Sequence, residues 1–294
     1  MNDSPLSPPQ MTVGFLGAGH MGGAMLRGLA AASPRPALRV FDAAPGRAEA
    51  LAAEIGAEAA ASPAALAAAC DVVVLAVRPG DLPSLLNSLA DIFDPPTTRP
   101  PDHQTTRPPD HPTAPLFLSI AAGRTTAWLE ERLPAGARVV RAMPNLGVSV
   151  GLGMTAYAPG ARATEEDLAA AGRILSAFGK AIRLPESNLD AVTALSGSGP
   201  AFLAYALQAM ADGGAALGLA AGDAAALALQ TFLGTATVLS RPGAPSVPDF
   251  IAAVATKGGT TAAGKDVLDA SDVRDVYART LAAAARRAAE LAAQ

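Results

Sequence analysis

The sequence predicts an α/β fold in which a doubly wound parallel sheet is followed by an all-α domain. Three observations predict it. Short apolar or β-branched runs alternate with helical stretches through the first half of the chain. A glycine-rich turn, Gly17-Ala18-Gly19-His20-Met21-Gly22, closes the first of those runs and opens a helix. After about residue 158 the chain turns Ala-rich, and from Ser187 it reads as helix to its end, broken at small-residue turns.

Taken in order, residues 1–10 are polar and Pro-rich and form an expected disordered tail. Residues 12–17 (TVGFLG) read as a buried strand and 20–32 as a helix. LRVFD at 38–42 is a second strand that ends in an acid. Pro45 opens a helix that closes before Gly56, and Pro63 leads another over 63–69. DVVVLAV at 71–77 is unbroken and β-branched, as a strand covered on both faces should be. Strands at 116–120 and 137–142 flank a helix at 125–132. The segment 94–115 interrupts this rhythm. There TTRPPDH recurs unchanged, Pro blocks helix and sheet, and little is apolar, so a disordered insertion is expected. Beyond 158, a helix over 164–178 and a brief strand over 180–184 precede the helical run. The division expected is a dinucleotide-binding domain over 11–158 and a helical domain over 159–294.

Composition removes several classes of function. With a net charge of -4 and no basic run, the chain is not expected to bind nucleic acid. One cysteine, Cys70, excludes a disulfide framework, and it reads as a small buried hydrophobe. The N-terminus lacks the charged start and apolar core of a signal peptide, and no run is long and apolar enough to span a membrane. The cytoplasm is the expected compartment. His103 and His111 lie on the repeated segment without other good ligands, so no metal is expected.

Five stretches carry chemistry. Gly17, Ala18, Gly19, His20, Met21 and Gly22 form a Rossmann-type loop whose glycines let backbone approach a pyrophosphate at a helix N-terminus. Asp42 stands about twenty residues past the last motif glycine, where an acid binds the ribose 2′-hydroxyl of NAD. Helix capping is its alternative role. Arg47 is suited instead to the 2′-phosphate of NADP, so the two point opposite ways. Ala76, Val77, Arg78 and Pro79 end the strongest strand, at the edge where open α/β sheets bind ligands, and Pro79 is expected to start the next helix. Ser119, Ile120, Ala121, Ala122 and Gly123 end the next, and the small residues among them let a flat ring lie on backbone. Finally, Gly258, Gly259, Thr260 and Thr261 precede a helix and form an anion pocket, with capping by Thr260 as the alternative.

In this order these pieces resemble the pyrroline-5-carboxylate reductase family. The matching segments are GFLGAGHMG, VVLAVRPGDL, LSIAAG, RAMPN, DAVTALSGSGPAF (190–202) and GGTTAAGKDVLD (258–269). The last two are the most specific. The resemblance implies an NAD(P)H-dependent oxidoreductase that reduces the C=N bond of a cyclic imine carboxylate to give L-proline. It implies that Thr261 is catalytic and hydrogen-bonds the imine nitrogen, that Gly258, Gly259, Thr260 and Thr261 hold the carboxylate, and that Glu186 lies near the substrate. It assigns Ala76–Pro79 and Ile120–Ala122 to the cofactor, slightly favours NADPH over NADH, and implies a homodimer or higher homo-oligomer. The helical domain is then the substrate and dimerisation domain.

The sequence departs from the family pattern at His20 and Pro63, each in place of a usual Asn. Gly147 and Lys257 each stand in place of a usual Pro, and Lys265 in place of an apolar residue. His20 reads as a loop contact rather than a general acid. Two other readings stay open. One is a related imine or β-hydroxyacid reductase using Lys265 as its helix-borne lysine. The other is a dinucleotide-binding regulatory protein without turnover.

Overall fold

The computed structural model describes residues 11–89 and 114–292. The expectations for the tail 1–10 and for nearly all of 94–115, including both of its histidines, lie outside the described residues. The chain divides into two compact units, residues 1–197 with 285–294, and residues 198–284.

The first unit is built on β1 (Thr12–Leu16), α1 (His20–Ala30), β2 (Ala37–Phe41), α2 (Arg47–Ile55), β3 (Glu58–Ala59), α3 (Pro63–Ala68), β4 (Val72–Leu75) and α4 (Leu82–Asn87). It continues with β5 (Leu116–Ser119), α5 (Thr126–Glu130), β6 (Arg138–Met143), β7 (Gly153–Pro159), α6 (Glu165–Ser176), β8 (Gly179–Arg183) and α7 (Leu189–Val192). The eight strands form one sheet in the order β3-β2-β1-β4-β5-β6-β7-β8. All neighbours are parallel except β6 and β7. Val72 to Leu75 and Leu116 to Ser119 are wholly buried, as strands covered on both faces must be. One core packs Met25, Leu26 and Phe178 against one face of the sheet. A second packs Leu66, Leu82, Leu86 and Leu129 against the other.

Three expectations are corrected. The boundary at 158/159 cuts through the sheet, because β7 and β8 extend it and the first unit runs on to Gly197. Pro79 does not start a helix. A turn closed by the Asp81 N–H on the Arg78 carbonyl (2.9 Å) intervenes, and α4 begins at Leu82. Likewise α2 begins at Arg47 rather than Pro45, because Gly46 is its N-cap in the left-handed conformation.

The second unit contains α8 (Gly199–Ala216), α9 (Ala221–Leu239), α10 (Val247–Val254), α11 (Thr260–Ala270) and most of α12 (Val273–Ala292). Alpha-carbon crowding between α8 and α9 is close: a methyl group on Gly214 would lie 3.2 Å from Ala224 Cβ. Few of its side chains are buried, and Leu203, Tyr205, Met210, Leu227, Leu229 and Leu233 are exposed on the single chain. Among the described residues no helix is long and apolar enough to cross a membrane.

Candidate functional site

The register of the parallel strands assembles the first part of the site. Leu16 pairs with Phe41 and with Leu75, and Leu75 pairs with Ser119. The residues that follow, Gly17, Asp42, Ala76 and Ile120, therefore leave the sheet at one level, on its carboxyl edge. The strand order reverses between β1 and β4, and in open α/β sheets the ligand crevice lies at that reversal. Sequence reasoning placed cofactor contacts on these four stretches, and the structure brings them to one edge.

The glycines of the loop have distinct jobs. Gly17 has φ +111°, and a Cβ there would lie 2.6 Å from the Ala76 carbonyl oxygen. A Cβ on Gly22 would lie 2.3 Å from the Gly17 carbonyl oxygen and 3.0 Å from Ala76 Cβ, so only Gly lets α1 start this close to β4. A Cβ on Gly19 would meet nothing within 4 Å, which leaves open space over the N-terminus of α1. No side chain caps that terminus. Free N–H groups beside open space suit a pyrophosphate, so this cradle fits a dinucleotide. His20, exposed, is the first residue of α1, and Met21 is half-buried behind it. A cleft of about 770 Å³ beside the loop is lined by Gly19, His20, Arg27, Arg47 and Ser149 among others.

Asp42 does not play the capping role considered for it. Its Oδ2 accepts from the Ala18 N–H at 2.7 Å and its Oδ1 from the Ala44 N–H at 2.8 Å. Arg47 Nη1 lies 3.4 Å from the same Oδ1. The capping role is excluded because Gly46 caps α2. The carboxylate instead ties the end of β2 to the glycine loop. Nothing in the sequence announced Ala18 as its partner, since a backbone N–H has no sequence signature.

At the other two strand ends, Arg78 is exposed and paired with Asp81 at 2.9 Å, while Ala76 and Val77 are half-buried and Pro79 opens the turn. Ala121 faces the core, so its contribution to a ligand is backbone alone. Ile120 and Ala122 are the half-buried neighbours.

Glu186 has partners within the chain that its spacing did not announce. Its Oε1 accepts from the Thr126 N–H (2.8 Å) and Arg141 Nη1 (3.1 Å), and its Oε2 from the Thr126 hydroxyl (2.7 Å). The carboxylate is engaged by the chain's own donors and anchors the start of α5. Thr126 and Arg141 were not singled out from the sequence. Arg141, a charge inside the buried run ARVVRA, was the available signal for a buried ion pair. Asn145 was missed as well. It accepts from the Gly147 and Met154 N–H groups and donates to Ser196 Oγ, each at 3.1 Å, joining RAMPN to the start of SGSG.

In the second unit Gly258 has φ +77°, and Gly259 is the N-cap of α11, with no side-chain cap and no acid in the first turn. Thr260 is therefore the first helical residue and not the cap. The opening N–H groups of α11 and the hydroxyls of Thr260 and Thr261, both exposed, form one anion-accepting end. Lys257 is exposed beside them. Lys265 lies on α11 and is paired with Asp269 one turn on. The hydrogen bond to Asp269 raises the pKa of its ammonium, which holds that lysine protonated. Among the described residues no group of three or more His, Cys, Asp or Glu side chains is placed to hold a metal ion.

A family model described as pyrroline-5-carboxylate reductase dimerisation matches residues 186–291, and one described as NADP oxidoreductase coenzyme F420-dependent matches 12–96. A curated pyrroline-5-carboxylate reductase of Methanosarcina acetivorans is 35% identical over 95% of this chain and 97% of its own. Another, from Mycobacterium tuberculosis, is 34% identical over 95% and 96%. Among solved structures, a pyrroline-5-carboxylate reductase from Coxiella burnetii superposes with TM-score 0.85 at 30% identity, covering 95% of this chain and 97% of that one.

Proposed function

The chain belongs to the pyrroline-5-carboxylate reductase family, and from that premise we propose that it reduces the cyclic imine of 1-pyrroline-5-carboxylate to L-proline, using NAD(P)H. The observation that carries this reading is the match of a curated reductase along 95% of the chain, through both units. The single-chain geometry supports it with a glycine cradle at the sheet reversal and an uncapped helix end at Thr260.

When bound, the reduced nicotinamide supplies the hydride that the imine carbon accepts. The chain's own residues bind and orient. Gly17–Gly22 hold the pyrophosphate on the N-terminus of α1, while Ala76–Pro79 and Ile120–Ala122 line the same sheet edge. The opening N–H groups of α11, with Gly258, Gly259 and Thr260, hold the substrate carboxylate. Helix-end N–H groups favour a negative charge by about 0.3–1 kcal/mol. The Thr261 hydroxyl hydrogen-bonds the imine nitrogen and keeps it oriented while the carbon is reduced. Glu186 acts one step removed, by fixing the start of α5 after Ile120–Ala122. The pairing of Lys265 with Asp269 speaks against the β-hydroxyacid reading, which needs that lysine free.

The exposed apolar side chains of the second unit fall inside the matched dimerisation region, which supports a homodimer assembled through it. A single buried cysteine and reliance on a reduced nicotinamide support a cytoplasmic setting. The test is Thr261→Ala against Thr261→Ser. The alanine variant should lose about 100-fold in kcat with cofactor affinity held within about twofold, and serine should recover most of the loss. Full activity in Thr261→Ala overturns the assignment.

A further inference from the structure

We propose that Asp42 reserves the adenosine end of the cofactor site for NADH and discriminates against NADPH, with Arg47 serving as the counter-charge of Asp42 rather than as a ligand of a 2′-phosphate. The expectation drawn from family resemblance, which slightly favours NADPH, is the opposite. The inference rests on the reductase reading for the reaction, but it concerns binding alone.

Asp42 follows β2 at the level where Gly17 follows β1, so it stands beside the loop that takes the pyrophosphate. In this class of fold the adenosine ribose lies there, and its 2′ substituent meets whatever ends the second strand. Here that group is a carboxylate held on both oxygens by the N–H groups of Ala18 and Ala44. Its side chain is only 9% exposed. A carboxylate tied at both ends cannot swing away to admit a phosphate. Oδ2, whose one partner is the Ala18 N–H, keeps a second lone pair that can accept from a ribose hydroxyl.

A 2′-phosphate would need donors beside Asp42, and the connection that follows β2 supplies almost none. The β2–α2 connection beyond Asp42 is Ala43-Ala44-Pro45-Gly46, without a hydroxyl or a cation on any side chain. Arg47 faces Oδ1 of Asp42 at 3.4 Å, so a phosphate reaching that guanidinium comes up against the carboxylate as well. Arg27, which also borders the adjoining cleft, is committed to Glu54 through Nε (2.6 Å) and Nη2 (2.8 Å). The local balance is one fixed anion with its own counter-ion. It matches a neutral diol and mismatches a dianion.

The test is the dissociation constant of NADH and of NADPH for the wild-type protein, read from nucleotide fluorescence at one ionic strength without imine. NADH should bind at least about fivefold more tightly, and any smaller ratio overturns the proposal. Asp42→Asn keeps an acceptor for a backbone N–H and removes the charge. It should tighten NADPH by about tenfold. Unchanged NADPH affinity in a folded Asp42→Asn overturns the role of the charge. Because no turnover is read, a protein that binds NADH selectively yet leaves pyrroline-5-carboxylate unreduced would sink the reductase reading and leave this inference standing.

Discussion

Both oxygens of the Glu186 carboxylate bind Thr126, sixty residues earlier in the chain, one through the N–H and the other through the hydroxyl. Thr126 is the first residue of α5, so a distant acid adds to the capping of a helix whose own N-cap, Thr125, accepts with its hydroxyl from the Trp128 N–H. The same carboxylate faces Arg141, which is 5% exposed. Removing it would leave the buried guanidinium with only the longer contact to Asp190, at 4.0 Å. Glu186→Ala should therefore lower stability by about 3 kcal/mol. Glu186→Gln, which keeps an acceptor for Thr126, should cost about 1 kcal/mol. Urea unfolding midpoints at constant slope check both, and equal losses would show that Arg141 does not depend on the charge.

Gly22 is the tightest point of the cofactor cradle. Any Cβ there falls 2.3 Å from the Gly17 carbonyl oxygen, a backbone atom that cannot move without the loop. Gly22→Ala should push α1 off the loop, costing about 1–3 kcal/mol and weakening NADH by about tenfold or more. Gly19→Ala meets nothing in the protein itself, so its loss should appear in nucleotide binding and not in the unfolding midpoint. Calorimetry with and without NADH separates the two.

Cys70 packs under β1, where its Sγ would lie 2.6 Å from a Cβ on Gly14. Burial pushes its thiol up to about 12, with Arg39 pulling weakly the other way. The raised value means the fold favours the neutral thiol. That contribution is whole below the ordinary value of 9.0 and is lost as pH rises toward 12. Wild type should lose stability above pH about 9 more steeply than Cys70→Ala. At pH about 8 the native thiol should ignore a disulfide reagent that reacts with one equivalent in urea.

The strands that build the sheet edge were legible because they are apolar and followed by turn residues. DVVVLAV and LFLSI each announce a covered strand, and GAGHMG announces a turn into a helix. β7 was not legible, because GMTAYAP mixes Gly, Ala and Pro and adds to the sheet antiparallel to β6. The boundary was therefore placed before α6 and β8, whereas the first unit continues through both and β8 joins its sheet. At the site, residue types were readable and partners were not. Asp42 shows as an acid at a strand end, but its ties to Ala18 and Ala44 depend on how closely β2 approaches the loop. The anchoring role of Glu186 depends on a fold-wide juxtaposition with Thr126 that no local spacing encodes.

The reductase activity is tested most directly by turnover of 1-pyrroline-5-carboxylate by the purified full chain, with NAD(P)H oxidation and proline measured together. One L-proline should form per nucleotide oxidised, with no oxidation in the absence of the imine. A folded protein that binds the nucleotide yet forms no proline from this substrate would contradict that activity.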